Sequence, residues 1–559
     1  MANTNTPNAE RTAAKAGAGV FSPLNHTTFR GMWFSNTITN AGGLIQSVAA
    51  AWVMASISTA DHVALVQTAT FLPMALFALP AGAIADIYDR RKVQIVFFTL
   101  SLVAAAIMTA ASWFNLLTPW VLLGLCFLVG TGGALAAPAR GASVAEQVPS
   151  ALIPQAVALN NISYNLARSV GPAVGGMLVA AFGATIAFAV NTLSFLPMLE
   201  SLRRWEREKE ISRLPPEGLL RSVNSGVRYV INMQPVRLAV SRAFVLCLLG
   251  AALPSLMPLI AKDLLNGTAS TFGLLLGFFG VGAVAGIFVL QPMRDRFGNE
   301  KTLQICTLAV AGCLVVLGYS RTQWIDFAAL LVAGLAWMMI TTTISVMVQL
   351  FVPRWVMGRA IATSTAAITL GVAIGSWVWG LVARDYGVVV AFQIAATTLI
   401  FSMALGRFLP VADRDNSTEL DEESLDDPEV KLGISGRSGP ITIELQYRIP
   451  ADKARDFYYI MREQQKARSR NGAYEWSLSR NIADPEQWIE RFTCPTWHDY
   501  LRLRNRRTLE DSDLHRRAAQ LQIGMEPIKV LRWLDRPAGS VRQSDDVPDR
   551  GDETLQIQN

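Results

Sequence analysis

The sequence predicts an all-α membrane protein, twelve transmembrane helices in two six-helix halves, followed by an α+β soluble domain. Three observations carry this expectation. Of 559 residues, 51% are hydrophobic and 16% charged, whereas soluble domains devote about a quarter of their residues to Asp, Glu, Lys and Arg. The charge is uneven, sparse over residues 31–200 and dense over 410–559, which separates an embedded body from a soluble tail. Apolar stretches near the about 20 residues that a bilayer-crossing helix needs recur up to residue 409.

The first six spans fall near 31–57, 63–86, 93–113, 119–139, 155–181 and 185–201, and six more near 240–261, 270–292, 302–319, 325–350, 358–383 and 387–409. Connector cations set the orientation. One side holds Arg90, Arg91, Lys92, Arg140, Arg294, Arg296, Lys301, Arg354 and Arg359, and the segment 202–239 adds many more. The other side holds Lys262, Arg321 and Arg384. Both termini and the central connector are therefore expected in the cytoplasm, and the chain in a bacterial inner membrane. The first 28 residues are polar and lack the short apolar core of a signal peptide. The expected divisions are a tail 1–28, helices 1–6 in 29–201, a connector 202–239, helices 7–12 in 240–409, an acidic linker 410–438, a soluble domain 439–535 and a disordered end 536–559.

The net charge of +6 does not point to nucleic acid, because the cations lie in connectors and tail. Cys126, Cys247, Cys306 and Cys313 sit in apolar runs and Cys494 stands alone, so no disulfide framework, metal site or cofactor is expected.

The body repeats itself. "GAIADIYDRRK" at 82–92 follows the second span as "QPMRDRFGNEK" at 291–301 follows the eighth, with Asp295 on Asp86 and Lys301 on Lys92, 209 residues apart (295 − 86 and 301 − 92). "VGPAVGGMLVAAFG" at 170–183 matches "IGSWVWGLVARDYG" at 374–387, 204 apart (374 − 170). Two matching halves joined by a long basic connector are the pattern of a duplicated transporter.

The residues Gly82, Asp86, Asp89, Arg90, Arg91 and Lys92 resemble the signature loop of the major facilitator superfamily, with Asp89 where glycine is commoner. "ARSVGPAVGG" at 167–176 looks like the Gly-Pro motif of its exporters, placing Gly171, Pro172, Gly175 and Gly176 at a helix-packing motif. The stretches "ASVAEQVPSALIPQAVALNNISYNLARSVGPAVGG" and "FAVNTLSFLP" resemble the secretion-effector branch that includes the enterobactin exporter. The resemblance covers about residues 28–410. It implies export of small organic molecules, siderophore-like or drug-like, by alternating access driven by a proton or ion gradient. One departure is Phe127, where many proton-coupled exporters place arginine, so coupling through that residue is not implied.

In such a transporter, a connector that pairs its charges in one state and frees them in the other biases the equilibrium. Shifting it tenfold takes about 1.4 kcal/mol. The expected gating set is Gly82, Asp86, Asp89, Arg90, Arg91, Lys92, Asp295 and Lys301, with Asp86 as the gate itself; for Arg91 and Lys92, enforcing topology is the competing reading. Arg168 lies inside the fifth span, and an arginine at membrane depth usually faces the bundle interior; it either contacts an anionic substrate or fixes packing. Asn36, Asn40 and Gln46 in the first span, Asn161 and Asn165 in the fifth and Asn191 in the sixth either line a pathway or bond between helices. Trp377 is a further pathway candidate, or faces lipid or core.

The tail reads as linker, strand, helix, two strands, a long helix over 496–521 and a last strand. That βαββαβ order is the ferredoxin-like arrangement, and it resembles antibiotic-biosynthesis-monooxygenase domains, which implies dimerisation through this module. Asn471, Trp476, Trp488 and His498 are residue types such oxygenases use, without an accompanying cofactor motif. The expected partners are thus a small-molecule substrate, the lipid bilayer, an ion gradient and a second copy of the chain. The rival reading is a membrane-anchored enzyme or sensor whose tail carries the activity.

Overall fold

The computed structural model describes residues 21–206, 228–352, 357–404, 406, 428–505, 508–524 and 528–535, the side chains at 79, 83, 86, 87, 150 and 510 excepted. The Asp86 gate, the cations at 207–227, Arg354, most of the linker and the two chain ends lie outside those described. The chain forms two compact units. One holds the apolar helices. The other holds the tail, together with the described parts of 224–237 and 349–360.

In the first unit the helices are α1 (Thr27–Ile57), α2 (Ala60–Ile87), α3 (Arg90–Trp113), α4 (Pro119–Ser143), α5 (Ile153–Phe182) and α6 (Ala184–Arg204). After the connector come α7 (Gln234–Leu264), α8 and α9, α10 (Gln323–Leu350), α11 (Met357–Tyr386) and α12 (Val388–Ser402). The stretch Ala269–Tyr319 is helical on both sides of Gly298, whose φ of 75° breaks it into α8 (269–297) and α9 (299–319). Among the described residues, eight helices are long and apolar enough to cross a membrane, with α8–α9 taken as one. Twelve were expected. Besides the joined α8–α9, three helices are not among the eight: α12 is short, at 15 residues, α5 is interrupted by its three Asn and Arg168, and α2 includes side chains outside those described.

Local sequence sets the helix ends. Asp89 caps α3, its carboxylate accepting from the amides of Arg91 at 2.9 Å and Lys92 at 3.1 Å, as short polar side chains do at this position. Gly183 and Gly387 each form a one-residue turn, into α6 and α12, with φ of 84° and 85°. A side chain there would be strained. They stand 204 residues apart (387 − 183).

The same spacing governs packing. Gly171 on α5 meets Leu44 on α1, and Gly375 on α11 meets Leu248 on α7, again 204 apart (375 − 171 and 248 − 44). Missing side chains let these backbones approach closely, which drives association in lipid. Between the halves, α5 runs along α8. A Cβ at Gly176 would lie 2.8 Å from Gly273 Cα, and one at Gly280 2.9 Å from the Arg168 carbonyl.

The second unit contains β1 (Ile441–Arg448), α13 (Ala454–Arg470), β2 (Tyr474–Arg480), β3 (Gln487–Cys494), α14 (Trp497–Asn505), α15 (Leu509–Gln520) and β4 (Lys529–Leu534). The antiparallel sheet has the order β2-β3-β1-β4, with Ile441 opposite Cys494 and Tyr447 opposite Trp488. Phe457, Ile460 and Met461 of α13, at helical spacing, pack with Ile443 and Phe492 of the sheet. The expected long helix is two. Thr508 starts α15 with a capping box, its hydroxyl accepting from the Asp511 amide while Asp511 accepts from the Thr508 amide, which ends one helix and begins another.

Candidate functional site

A cavity of about 260 Å³ lies within the first half, walled mainly by α1, α4 and α5. Asn36 and Asn40 reach it from successive turns of α1, and Asn161 and Tyr164 from successive turns of α5, because residues three and four apart share a helix face. Arg140, near the end of α4, completes the ring, its Nη1 donating to Asn36 Oδ1 at 3.0 Å. Other bonds fix the walls. Trp33 Nε1 donates to the Leu159 carbonyl at 2.9 Å, and the Thr37 and Ser163 hydroxyls share a bond of 2.6 Å, both joining α1 to α5. Among the described residues of the lining Arg140 is the single cation, and there is no carboxylate.

The remaining pathway candidates lie elsewhere. Gln46 and Asn191 bond to each other across α1 and α6, both buried, so their polar groups are satisfied inside the helix packing. Asn165 Nδ2 donates to the Asn161 carbonyl on its own helix at 2.9 Å. The Arg168 guanidinium stands 5.9 Å from the centre of the Phe279 ring on α8, a cation–π distance that links the two halves. Trp377 is 49% exposed. Arg140 and Tyr164 were not anticipated at a site; Arg140 had been counted only for orientation, one residue beyond the expected fourth span.

The connector charges brace the first half. Arg90 donates to Glu146 Oε1 at 2.8 Å and to the Ala142 carbonyl at 3.2 Å, tying α3 to the end of α4. Arg91 donates to the carbonyls of Leu202 at 2.8 Å and Arg203 at 2.7 Å. It thereby caps the C-terminus of α6, the negative end of that helix dipole. Lys92 is exposed, and a Cβ on Gly82 would meet open space. In the second half Asp295 is exposed and accepts from Gln291 at 2.7 Å, while Lys301 is exposed. There, buried Arg242 of α7 pairs with Glu300 at the start of α9.

At the opposite ends of the helices the halves touch. Arg384 Nη1 on α11 meets Asp61 Oδ2 on α2 at 3.3 Å, and Thr68 Oγ1 donates to the Ala373 carbonyl at 2.7 Å. Lys262 Nζ donates to the Ala55 carbonyl.

Of the tail residues of catalytic type, Trp476 and Trp488 pack in the domain interior, Asn471 is half-buried and His498 is exposed. Trp476 Nε1 donates to buried Glu490 at 3.1 Å, which also accepts from Arg468 at 3.1 Å and Tyr447 at 3.1 Å. Burial opposes the charge on Arg468, and Glu490 more than offsets it, holding that guanidinium above its ordinary range. Asn471 donates to Asp511 at 3.4 Å. Trp488 lies under Arg480, 5.0 Å from its ring centre, and the His498 ring lies against Gly436.

The chain is similar to the staphyloferrin A transporter of Staphylococcus aureus, 22% identical over 64% of this chain and 90% of that one. It is 27% identical to the multidrug efflux pump Tap of Mycobacterium tuberculosis, over 36% of this chain and 51% of that pump. Among solved structures it shares a fold with the POT family transporter PepTSo, with TM-score 0.55 and 13% identity over 70% of this chain and 99% of that one. It also shares one with a bacterial homologue of the human lysosomal transporter Spinster, at TM-score 0.52 and 14% identity over 68% and 95% of the two chains. The family model described as transmembrane secretion effector matches residues 18–538; with its repeated helical halves and their shared packing, the chain belongs to that family of the major facilitator superfamily.

Proposed function

We propose that the protein is a secondary transporter that exports small organic molecules, siderophore-like or drug-like, across the bacterial inner membrane by alternating access. The observation that carries this reading is the pair of contacts Gly171–Leu44 and Gly375–Leu248, which repeat at one spacing in the two halves. An anchor for a soluble enzyme has no need of matched halves, whereas rocking of two such bundles about a central pathway requires them. Relatives named as a siderophore transporter and as a drug efflux pump support the same class of cargo.

In this reading α1 to α12 cross the membrane twelve times, with both termini, the central connector and the tail domain in the cytoplasm. The arrangement is inward-open, because Asp61–Arg384, Thr68–Ala373 and Lys262–Ala55 join the halves at the outer ends. Asp86, Arg90 and Arg91 then act at the inner mouth, and an ion gradient drives the cycle. The tail is a ferredoxin-like module of the antibiotic-biosynthesis-monooxygenase type that regulates or dimerises and does not catalyse; its strand order β2-β3-β1-β4 supports that assignment.

The test is efflux from cells carrying the full chain, a chain ending at residue 410, or neither. Export of drug-like or iron-chelating compounds by both chains is expected. Activity confined to the tail, with no efflux by either, would replace this reading with the anchored-enzyme one.

A further inference from the structure

The geometry points to the α1–α4–α5 cavity as a binding site for the carboxylate of an anionic substrate, with Arg140 as the recognising cation. This rests on the transporter reading and names the chemistry of its cargo. Arg140 brings a positive charge to a site of about 260 Å³ whose lining, among the described residues, holds no acidic side chain. Its hydrogen-bond partner, Asn36, is neutral and accepts from Nη1 at 3.0 Å. Arg140 is partly buried, a cation drawn part-way out of water favours an anionic partner, and a guanidinium presents a planar fork matched to two carboxylate oxygens.

The surroundings suit that ligand. Asn40, Asn160, Asn161 and Tyr164 ring the same space, offering amide and phenol donors to carboxylate oxygens and acceptors to neighbouring hydroxyls. The volume sits just below the about 300 Å³ at which pockets for whole drug-sized ligands begin. It therefore takes the acidic head of a substrate, and the rest of the molecule extends past the opening.

Purified full-length protein in uncharged-lipid nanodiscs, titrated with glutarate, cadaverine or inorganic phosphate while its thermal midpoint is followed, tests this. Glutarate and cadaverine share a five-carbon chain and differ in charge. Glutarate should raise the midpoint and cadaverine should not, and Arg140→Gln should weaken the glutarate effect at least tenfold, with Arg140→Lys between. Asn36→Asp, which preserves the contact to Arg140 and supplies the carboxylate internally, should abolish the response, and it answers the question should Arg140→Gln fail to fold. Equal stabilisation of wild type and these variants, no response of the wild type, or a phosphate response as strong as that to glutarate would each overturn the assignment. Efflux of an uncharged dye by the same protein in liposomes reports on transport alone, so the two readings fail separately.

Discussion

Arg90 and Glu146 meet at 2.8 Å, joining the start of α3 to the turn beyond α4. Both side chains are largely covered, at 27% and 20% exposure. This pair, with Arg91 on the α6 carbonyls, holds one half of the bundle together as a body. In the proposed rocking cycle each half moves as a unit, and there the charge-rich connector would stiffen what must not bend. Glu146→Gln should lower stability by about 2 kcal/mol, the range for a hydrogen bond to a charged group. Arg90→Glu combined with Glu146→Arg should recover part of the loss, as thermal unfolding of the detergent-solubilised protein would register.

Gly176 and Gly273 allow α5 and α8 to touch backbone to backbone. Gly176→Val would insert two methyl groups where one Cβ already comes within 2.8 Å of Gly273 Cα. Overpacking typically costs about 1–3 kcal/mol, and here it acts at the seam between halves. Export should be lost while the protein remains in the membrane. Disulfide trapping between cysteines placed at Ala55 and Lys262 should weaken in parallel.

Asp61 and Arg384 form a tie between α2 and α11, which the proposed inward-open reading puts on the closed side. Arg384 is exposed, and exposed pairs contribute little alone. Asp61→Asn should therefore leave folding intact and shift the balance only modestly towards the outward-open form. Cysteine-labelling rates at Thr68 would measure that shift, and a change of more than tenfold would mean the pair is worth more than its exposure suggests.

Glu444 in β1 accepts from Arg491 at 2.7 Å. That bond, then the one from Gln446, holds its carboxyl below the ordinary glutamate value of 4.5 despite partial burial. A carboxylate depressed by folding stabilises the domain above its unfolded value, and the benefit disappears as pH falls through the folded value. The tail should lose stability below about pH 4.5. Glu444→Gln should flatten that acid limb, followed by tryptophan fluorescence of the full chain.

Arg470 carries two duties inside the second unit. Its Nη2 pairs with Asp511 at 2.5 Å, both about 6% exposed, and its guanidinium stands 5.9 Å from the centre of the Tyr229 ring in the central connector. Removing one partner of a buried pair costs about 3–5 kcal/mol. Arg470→Ala should destabilise the tail domain and speed proteolysis after residues 228–233, visible by limited digestion and mass spectrometry.

Much of the architecture is legible in the order of residues. Apolar length places the helices, and the shared interval of 204 brings out Gly183 and Gly387 as equivalent turns. Binary alternation and helical spacing give the order of strands and helices in the tail, except that the second expected helix is two. Contact between helices is harder to read. Spacing along α1 puts Asn36 and Asn40 on one face, yet nothing in that helix says that Arg140 of α4 meets them, or that Gln46 finds Asn191. Such pairings depend on how helices cross. The division at Thr508 is legible in part: the apolar spacing lapses over Arg504–Thr508, and the cap chemistry of Thr508 and Asp511 marks the break.

Tyr229, Val230 and Met233 are buried, and Met233 Sδ lies 2.9 Å from Arg470 of the tail domain. That segment leaves the ribosome before α7, and the tail domain that covers it leaves after α12. Its aromatic and apolar side chains must therefore wait, uncovered, while the second half is threaded into the bilayer. Closure of the tail over them has to wait until the tail domain has emerged, so a chain stalled or truncated after α12 would display those side chains to chaperones and proteases.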